Sequence, residues 1–146
     1  MTTVDPLPDT LAYDLHVLVA RLDSAADRIL RVAHRTTYRR FLALLAVRDL
    51  APATQRAVAE RLDVSEPSAS RMVAILAAEH LVSVAPDPGG GNRRRLTLTD
   101  RGGELAAACA ASLEGRLGAL LSRAGVPYRA YAGQTRTLVH ALDTGP

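Results

Sequence analysis

The sequence predicts a mainly α-helical protein with one small β-hairpin, arranged as a winged helix-turn-helix between N- and C-terminal helices. Two observations predict this fold: a pair of short helices joined by a tight turn, and a hairpin pattern that follows directly. The helix pair reads TQRAVAERLDV, from Thr54, and SEPSASRMVAILAAEHL, from Ser65. The segment VSVAPDPGGGNRRRLTL then alternates apolar and other residues on both sides of a glycine-rich loop, which predicts two strands.

The composition favours one domain built of closely packed helices. The chain of 146 residues is 48% hydrophobic but has no Trp and a single Phe, so its core must consist mainly of Leu, Val and Ala. The net charge is only +3, yet all 18 basic residues are Arg, a usage that biased codon choice would also produce. Arg is the basic residue best suited to bind phosphate and guanine.

We expect neither a targeting segment nor a disulfide. The first ten residues have no basic start and no apolar run, and no apolar stretch approaches the roughly 20 residues that a membrane span needs. These features predict a cytoplasmic protein without a membrane partner. Cys109 is the only cysteine, so no disulfide can form within the chain. It is either a small buried hydrophobic residue, the commoner case, or a redox sensor.

A heptad pattern marks the first predicted helix, residues 9–33. Such a stripe can pack inside a bundle of the same chain or form an interface between subunits, and a second apolar side in residues 100–143 favours the interface. We therefore predict dimerisation helices in residues 9–33 and 100–143, intertwined as a single domain with the winged helix-turn-helix of residues 36–99. The apolar residues are Leu11, Leu15, Leu18, Leu22, Ala25, Ile29 and Val32 in the first helix, and Leu138, Val139 and Leu142 in the last.

The start of the second short helix has the side chains that DNA contact requires. Small hydroxyl residues let a helix enter the major groove deeply, Arg binds guanine or phosphate, and proline can touch a thymine methyl. Ser65 is also expected to cap the helix, and Ser68 either caps it or contacts DNA. Arg56 and Arg61, on the preceding helix, either bind the DNA backbone or lie on a solvated face. The predicted contacts on the second helix are Ser65, Pro67, Ser68, Ser70 and Arg71.

Three consecutive arginines end the glycine-rich loop of the predicted hairpin. Successive side chains of a strand point to opposite faces, so Arg93 and Arg95 share one face and Arg94 lies on the other. The negative potential of a narrow minor groove favours Arg. We therefore predict that at least one of the three enters or skirts a minor groove while the helix occupies the major groove.

With these motifs the chain resembles the MarR (multiple antibiotic resistance regulator) family of bacterial transcription factors. The resemblance covers nearly the whole length: the long first helix, VSEPSASRMVAIL as the recognition helix, and LVSVAPDPGGGNRRRLTLTDRG as the wing and its exit. It implies an obligate homodimer in which the first helix and the last two helices interlock. It also implies double-stranded DNA as the partner, with one winged helix of each subunit on half of a palindromic operator.

The wing departs from the family pattern. The family usually has an Asp and an Arg two residues apart, which form an ion pair and place that Arg in the minor groove. The corresponding positions here are Gly90 and Asn92, so Arg93 or Arg94 would have to substitute on a looser wing. His80 also stands where a glycine often ends the recognition helix.

Ligands of this family typically bind between the dimer helices and the winged helix. The resemblance implies that His16, His34, Tyr38 and Arg39 line such a cleft, where a small phenolic or other anionic effector would suit Tyr38 and Arg39. The alternative is that each is an ordinary interface or capping residue. We expect no metal and no cofactor, because the four His are far apart and form no ligand cluster. The family's redox-sensing branch has its reactive Cys near the start of the chain, which Cys109 does not match.

These features fit two classes of function. The first is a sequence-specific DNA-binding regulator, acting as a homodimeric, ligand-responsive repressor at a palindromic operator. The alternative is a winged-helix module that binds proteins without specific DNA binding, although its groove would then show exposed apolar or aromatic residues. An enzyme is not expected, because the sequence has no phosphate-binding loop, no nucleophile–base pair and no acidic cluster.

Overall fold

The computed structural model describes residues 9–91 and 93–145, and these form six helices and one hairpin. The predicted fold class is confirmed, since a helix-turn-helix is followed directly by a two-stranded wing (residues 82–98) in a mainly helical chain. The chain divides into two units, one ending at Cys109 and the other beginning at Ala110. The elements are α1 (Leu11–His34), α2 (Tyr38–Asp49), α3 (Gln55–Leu62), α4 (Glu66–Ala78), β1 (Val82–Pro86), β2 (Arg94–Leu98), α5 (Asp100–Ala124) and α6 (Tyr128–Thr144).

Hydroxyl side chains start helices α2, α3 and α4. Thr37, Thr54 and Ser65 have extended backbone angles. Each side-chain oxygen accepts a hydrogen bond from the backbone N–H three residues later, at 3.1, 3.1 and 3.2 Å respectively. Such a cap satisfies one of the free N–H groups of the first turn and contributes about 1 kcal/mol. The capping role expected for Ser65 is confirmed.

Aliphatic side chains fill the core of the first unit, and α2 lies at its centre. Leu44 and Val47 of α2, Leu76 of α4 and Leu96 of β2 are fully buried, and they belong to one hydrophobic cluster. Phe41, the one phenylalanine, is also buried on α2. The core therefore has the aliphatic character that the composition predicted, with α2 enclosed by the elements that form the winged helix.

The buried side of α1 is not its heptad stripe. Ala26 and Leu30 are the buried residues of this helix, whereas Val32, on the stripe, is 87% exposed and Leu11 is 60% exposed. Helix α1 packs against α2, and its buried positions Ala26 and Leu30 lie one turn apart. Leu15 and Leu18 are also exposed, whereas Leu22, Ala25 and Ile29 are half-buried, so the stripe is only partly covered in the single chain.

Strands β1 and β2 pair antiparallel, with Val82 opposite Leu98. Val82 and Leu96 are buried, so the alternation predicted from the sequence is confirmed. On its other side, β2 bonds to the segment between α2 and α3. The N–H of Ala53 donates to the carbonyl oxygen of Leu96 at 3.0 Å, and the N–H of Leu96 donates back at 2.7 Å. Strand β2 is therefore held from both sides.

The second unit contains the later part of α5 together with α6. The hydroxyl of Tyr128 donates to a carboxylate oxygen of Glu114 at 2.7 Å, and this hydrogen bond raises the pKa of Tyr128. Helix α6 has no buried residue, and Leu142 is 83% exposed, with Leu138 and Val139 also exposed. The apolar side predicted for this helix is therefore uncovered in the single chain.

Among the described helices, α5 is long and apolar enough to cross a membrane, judged by length and composition only. This finding corrects the expectation that no stretch approaches such a length. The helix is rich in Ala and Leu, which together raise its mean hydropathy to 1.2 over the most apolar 18 residues. A core helix of a globular protein can have the same composition, and Ala106 and Cys109 of α5 are indeed buried.

Candidate nucleic-acid interface

Helices α3 and α4 form the helix-turn-helix that carries the predicted DNA-contacting side chains. Asp63 ends α3 in the left-handed region, with φ 53°, so the chain turns sharply towards α4. Helix α4 begins after its cap Ser65, and Pro67 lies in the first turn, where no intrahelical N–H is needed. Pro67 and Ser70 are exposed, and Ser68 is half-buried. The start of α4 is thus accessible to a large partner.

Ser68 holds the side chain of Arg71. The Nη2 atom of Arg71 donates to Oγ of Ser68 at 3.1 Å, and the hydroxyl of Ser65 donates to the same oxygen at 3.0 Å. The backbone N–H of Ser68 donates to Ser65, so the cap belongs to Ser65 and not to Ser68. Arg71 is exposed and has no acidic partner among the described residues. Its charge is therefore free to bind phosphate or guanine.

The two arginines of α3 are each engaged by a carboxylate. Arg56 pairs with Glu60, one turn later, at 3.3 Å, and Arg61 pairs with Asp49 of α2 at 3.8 Å. All four side chains are exposed, where ion pairs contribute little stability, so phosphates could replace the carboxylates. A role in backbone contact stays a prediction, and the pairs are also what a solvated face would show.

The three wing arginines differ in their partners. Nη2 of Arg95 lies 3.6 Å from Oδ1 of Asp87, which forms an ion pair across the loop. Arg93 and Arg94 are exposed and have no acidic partner in the part of the chain that the structure describes. Because Leu96 is buried, Arg94 belongs to the core side of β2 and Arg95 to the opposite side.

Sequence reasoning did not single out Asp87. The hairpin register, with Ala85 opposite Arg95, places Asp87 diagonally across the pair, within reach of a long side chain. Counting that register outwards from the alternating apolar residues would have found the ion pair. Asn92, one of the two positions where the family's usual wing pair is absent, lies outside the described residues.

The recognition helix α4 is joined to the first turn of α5 where the wing ends. The hydroxyl of Thr99 donates to the carbonyl oxygen of His80 at 2.6 Å, and its backbone N–H donates to Leu81 at 3.1 Å. The same hydroxyl oxygen accepts from the N–H of Gly102 at 3.0 Å and so caps α5. His80 has φ 59°, in the left-handed region that favours the glycine expected there.

The structure does not gather the four predicted effector residues around one cavity. His16 and Arg39 are exposed. Tyr38 is half-buried and stacks on Phe41 with ring centroids 6.1 Å apart; burial, with a smaller effect of the Asp23 charge, raises its pKa. Of the four residues, His34 alone lines the larger of two described cavities. Ligand contact for the other three stays a prediction.

The cavity beside His34 has a volume of about 590 Å³ and a mixed lining of charge and leucine. Nη1 of Arg40 donates to Oε1 of Glu79 at 2.9 Å, which ties α2 to the end of α4. Thr36 is 5% exposed, and its hydroxyl has no hydrogen-bond partner among the described residues. Arg35 and Arg101 have no acidic partner there either. The cavity lining includes Arg35, Thr36, Arg40, Glu79, Arg101 and Glu104.

Cys109 is fully buried, and burial raises the pKa of its thiol. A neutral and inaccessible thiol reacts slowly, which fits a small hydrophobic residue better than a redox sensor. In the described ranges, no group of three or more His, Cys, Asp or Glu side chains could hold a metal ion.

The helix-turn-helix has an unpaired arginine near the start of its second helix, and an arginine-bearing wing follows it, which is the arrangement that winged-helix DNA-binding proteins use. Residues 36–91, from the α1–α2 connection to the loop of the wing, match the model of the MarR family. Over this segment, which contains the helix-turn-helix and most of the wing, the chain is similar to the MarR family.

Solved structures of MarR proteins share this fold over most of the chain. A MarR-family regulator from Rhodococcus sp. RHA1 matches with a TM-score of 0.78 at 21% identity, over 92% of this chain and 93% of its own. A mutant MarR from E. coli, complexed with operator DNA, matches with a TM-score of 0.73 at 19% sequence identity. The match covers 95% of this chain and 98% of that one. PcaV from Streptomyces coelicolor, in complex with its natural ligand, matches with a TM-score of 0.64 at 23% sequence identity, over 98% of both chains. No curated protein matches the sequence.

Proposed function

We propose that this protein is a repressor that binds a palindromic DNA operator as a homodimer and releases it when a small anionic effector binds. The observation that carries the proposal is the exposed start of α4, where Ser68 holds Arg71 and no carboxylate among the described residues neutralises it. Arg93 and Arg94 add two charges on the wing that have no acidic partner there. The MarR protein whose structure contains operator DNA has the same fold, which supports the proposal.

The proposed contacts divide between two grooves. The start of α4 enters the major groove, with Arg71 at a guanine or phosphate and with Ser70 and Pro67 beside it. The wing lies along the backbone or in the adjacent minor groove, where Arg is favoured. Arg56 and Arg61 would exchange their carboxylate partners for phosphates of the same site.

The uncovered apolar sides of α1 and α6 support the homodimer. Leu11 and Val32 on α1, and Leu142 on α6, are among the most exposed large hydrophobic residues of the chain. Apolar side chains that stay exposed on a single chain mark a protein interface. A twofold dimer presents two recognition helices, which must lie about 34 Å apart to meet successive major grooves of a palindromic site.

The cavity beside His34 supports a response to an anion. Its volume of about 590 Å³ lies in the usual range for small-molecule sites, and Arg35, Arg40 and Arg101 supply positive charge. An anion bound by Arg40 would compete with Glu79 and so loosen the tie between α2 and the end of α4. The predicted residues His16, Tyr38 and Arg39 would take part where a second subunit completes the cleft.

A protein-interaction module is the alternative function, and cytoplasmic location fits both. Val64 and Ile75, near the proposed DNA-binding surface, are 38% and 40% exposed, which is the apolar exposure that a protein partner would use. They are two residues from different parts of the helix-turn-helix, the turn and the later part of α4, whereas unpaired arginines among the described residues recur on both α4 and the wing. The charge distribution therefore favours DNA.

The test is binding of the purified protein to the DNA just upstream of its own gene, with a scrambled competitor, at two salt concentrations. We expect competitor-resistant binding that weakens steeply with salt, because phosphate contacts release counterions. Arg71→Ala and a triple Arg93/Arg94/Arg95→Ala variant should each weaken binding while light scattering still shows a dimer. Absence of binding at low salt would favour the interaction module, and unchanged affinity in both variants would disprove the site.

A further inference from the structure

Asp87 makes more interactions than any other described residue of the loop between β1 and β2. Its backbone N–H donates to the carbonyl oxygen of Arg93 at 2.9 Å, one step beyond the last strand pair. Its carbonyl oxygen accepts from the N–H of Gly90 at 3.4 Å, and its Oδ1 accepts from the N–H of Gly89 at 3.1 Å. One residue therefore closes the turn with both its backbone and its side chain.

The same carboxylate also forms an ion pair with Arg95. Nη2 of Arg95 lies 3.6 Å from Oδ1 of Asp87, and the Asp87 side chain is only 22% exposed, against 45% for Arg95. Its Oδ1 is already oriented by the N–H of Gly89, so little further ordering is needed to form the ion pair. Ala85, opposite Arg95, is small enough to leave the outer side of the hairpin open for the arginine side chain.

This arrangement divides the three arginines by role. A paired Arg95 carries a carboxylate with it, and that carboxylate would be repelled by a DNA phosphate. Arg94 stands opposite Pro86 at the last strand pair, and Arg93 stands beyond it; neither has an acidic partner among the described residues. The available positive charge of the wing thus lies next to the loop that Asp87 closes.

We propose that Asp87 is a positioning residue of the wing, and that it keeps Arg95 in the hairpin so that Arg93 and Arg94, and not Arg95, contact DNA phosphates. The proposal rests on the DNA-binding function proposed above and assigns the contacts within it. Asp87 stabilises the wing from the base of the loop, in a chain that has Gly90 and Asn92 where the family's usual wing pair would be.

The experiment measures how affinity depends on salt for the full-length protein and a fluorescein-labelled 30-base-pair duplex of mixed sequence. The slope of log K against log salt falls by about 0.9 for each phosphate that the protein no longer neutralises, or about 1.8 for the two wings of a dimer. We expect Arg94→Gln and Arg93→Gln each to reduce the slope by this amount. Arg95→Gln should leave the slope unchanged while weakening binding a few-fold, because the wing becomes less ordered.

A double-mutant cycle tests the pairing itself. Asp87→Asn keeps an oxygen that accepts from Gly89 but removes the charge, which makes it the matched partner of Arg95→Gln. If the two side chains act as a pair, the double variant should bind no more weakly than Arg95→Gln alone. Circular dichroism of each variant checks that the helices remain folded.

Two outcomes would overturn the inference while leaving the proposed function intact. One is an Arg95→Gln variant that reduces the salt slope as much as Arg94→Gln does, since Arg95 would then be a phosphate contact. The other is additive effects of Asp87→Asn and Arg95→Gln. Failure of the unaltered protein to bind the duplex even at low salt is a different result, and it would overturn the proposed function together with the inference.

Discussion

A β-carbon built on Gly102 would overlap the carbonyl oxygen of Leu81, so the first turn of α5 touches the backbone at the end of the recognition helix. No side chain fits in this space, because the obstacle is backbone and cannot rotate away. We expect Gly102→Ala to destabilise the protein by about 1–3 kcal/mol, the range for overpacking of a filled site. Urea unfolding followed by circular dichroism measures the change.

Gly103 is the matched control for this substitution. It is the next residue of the same helix turn, and a β-carbon there would meet nothing within 4 Å. Alanine at a helical glycine with free space stabilises by about 0.5–1 kcal/mol. Gly103→Ala should therefore raise the free energy of unfolding, and equal effects of the two substitutions would contradict the close contact.

The hydrogen bond from Arg71 to Ser68 predicts a role for Ser68 in DNA affinity. Ser68→Ala removes the acceptor and leaves the arginine mobile, so we expect operator affinity to fall about 2- to 10-fold, the equivalent of one hydrogen bond. The salt slope should stay unchanged, because every phosphate contact remains. Ser68→Thr, which keeps the hydroxyl, should bind like the unaltered protein. A reduced slope in Ser68→Ala would mean that Arg71 no longer neutralises a phosphate when Ser68 does not hold it.

The left-handed backbone of His80, with φ 59°, predicts that glycine is better there. A side chain in this conformation costs roughly 1–2 kcal/mol. Glycine avoids this cost, but its greater conformational freedom in the unfolded chain offsets part of the gain. His80→Gly should therefore stabilise by about 0.5–1 kcal/mol, measured as a shift of the urea midpoint. Asp63→Gly, at φ 53°, should gain less, because Asp tolerates this region better. A destabilised His80→Gly variant would indicate a side-chain role for His80.

The pKa of Asp27 predicts a loss of stability in acid. A hydrogen bond from the side chain of Arg31, and to a smaller extent one from the backbone N–H of Tyr38, lower the pKa of Asp27 below its ordinary value of 3.8. A carboxyl whose folded pKa is depressed stabilises above its unfolded pKa, and the contribution is lost as pH falls through the folded value. Asp27→Asn should thus be less stable than the unaltered protein at pH 6, with the difference shrinking below about pH 4. Urea unfolding at pH 6, 4 and 3 measures this.

Glu104→Gln is the control for acid stability, since Glu104 is exposed and has no ion pair among the described residues. Its effect on the free energy of unfolding should be small and similar at all three values of pH. A difference for Asp27→Asn that stays constant from pH 6 to pH 3 would show that charge does not matter at this position.

Local chemistry made much of the fold predictable from the sequence. A hydroxyl side chain before an apolar helix caps it wherever it occurs, and Ser65 does so as expected. Alternation in the hairpin placed Leu96 and Val82 in the core, because one face of a half-buried strand must be apolar. Both signals depend on neighbours a few residues away, so no knowledge of the folded chain was needed.

Tertiary contacts account for what the sequence left open. A helix as long as α1 carries more than one apolar stripe, and periodicity alone could not show that Ala26 and Leu30 would be its buried positions. The pairing of Arg40 with Glu79 joins residues 39 positions apart, so it follows from packing and not from any motif. The cavity beside His34 arises in the same way, where segments distant in the sequence meet.

Strand β2 is bonded to both β1 and Ala53, so the length of the wing can vary only in its loop. A residue inserted into either strand would move Leu96 out of the core, because side chains alternate between faces. An insertion near Gly90 and Gly91, which have φ 138° and 69° and no atoms within 4 Å of a built β-carbon, would change only the loop. The wing can therefore change in length without a change in the stability of the domain that carries it.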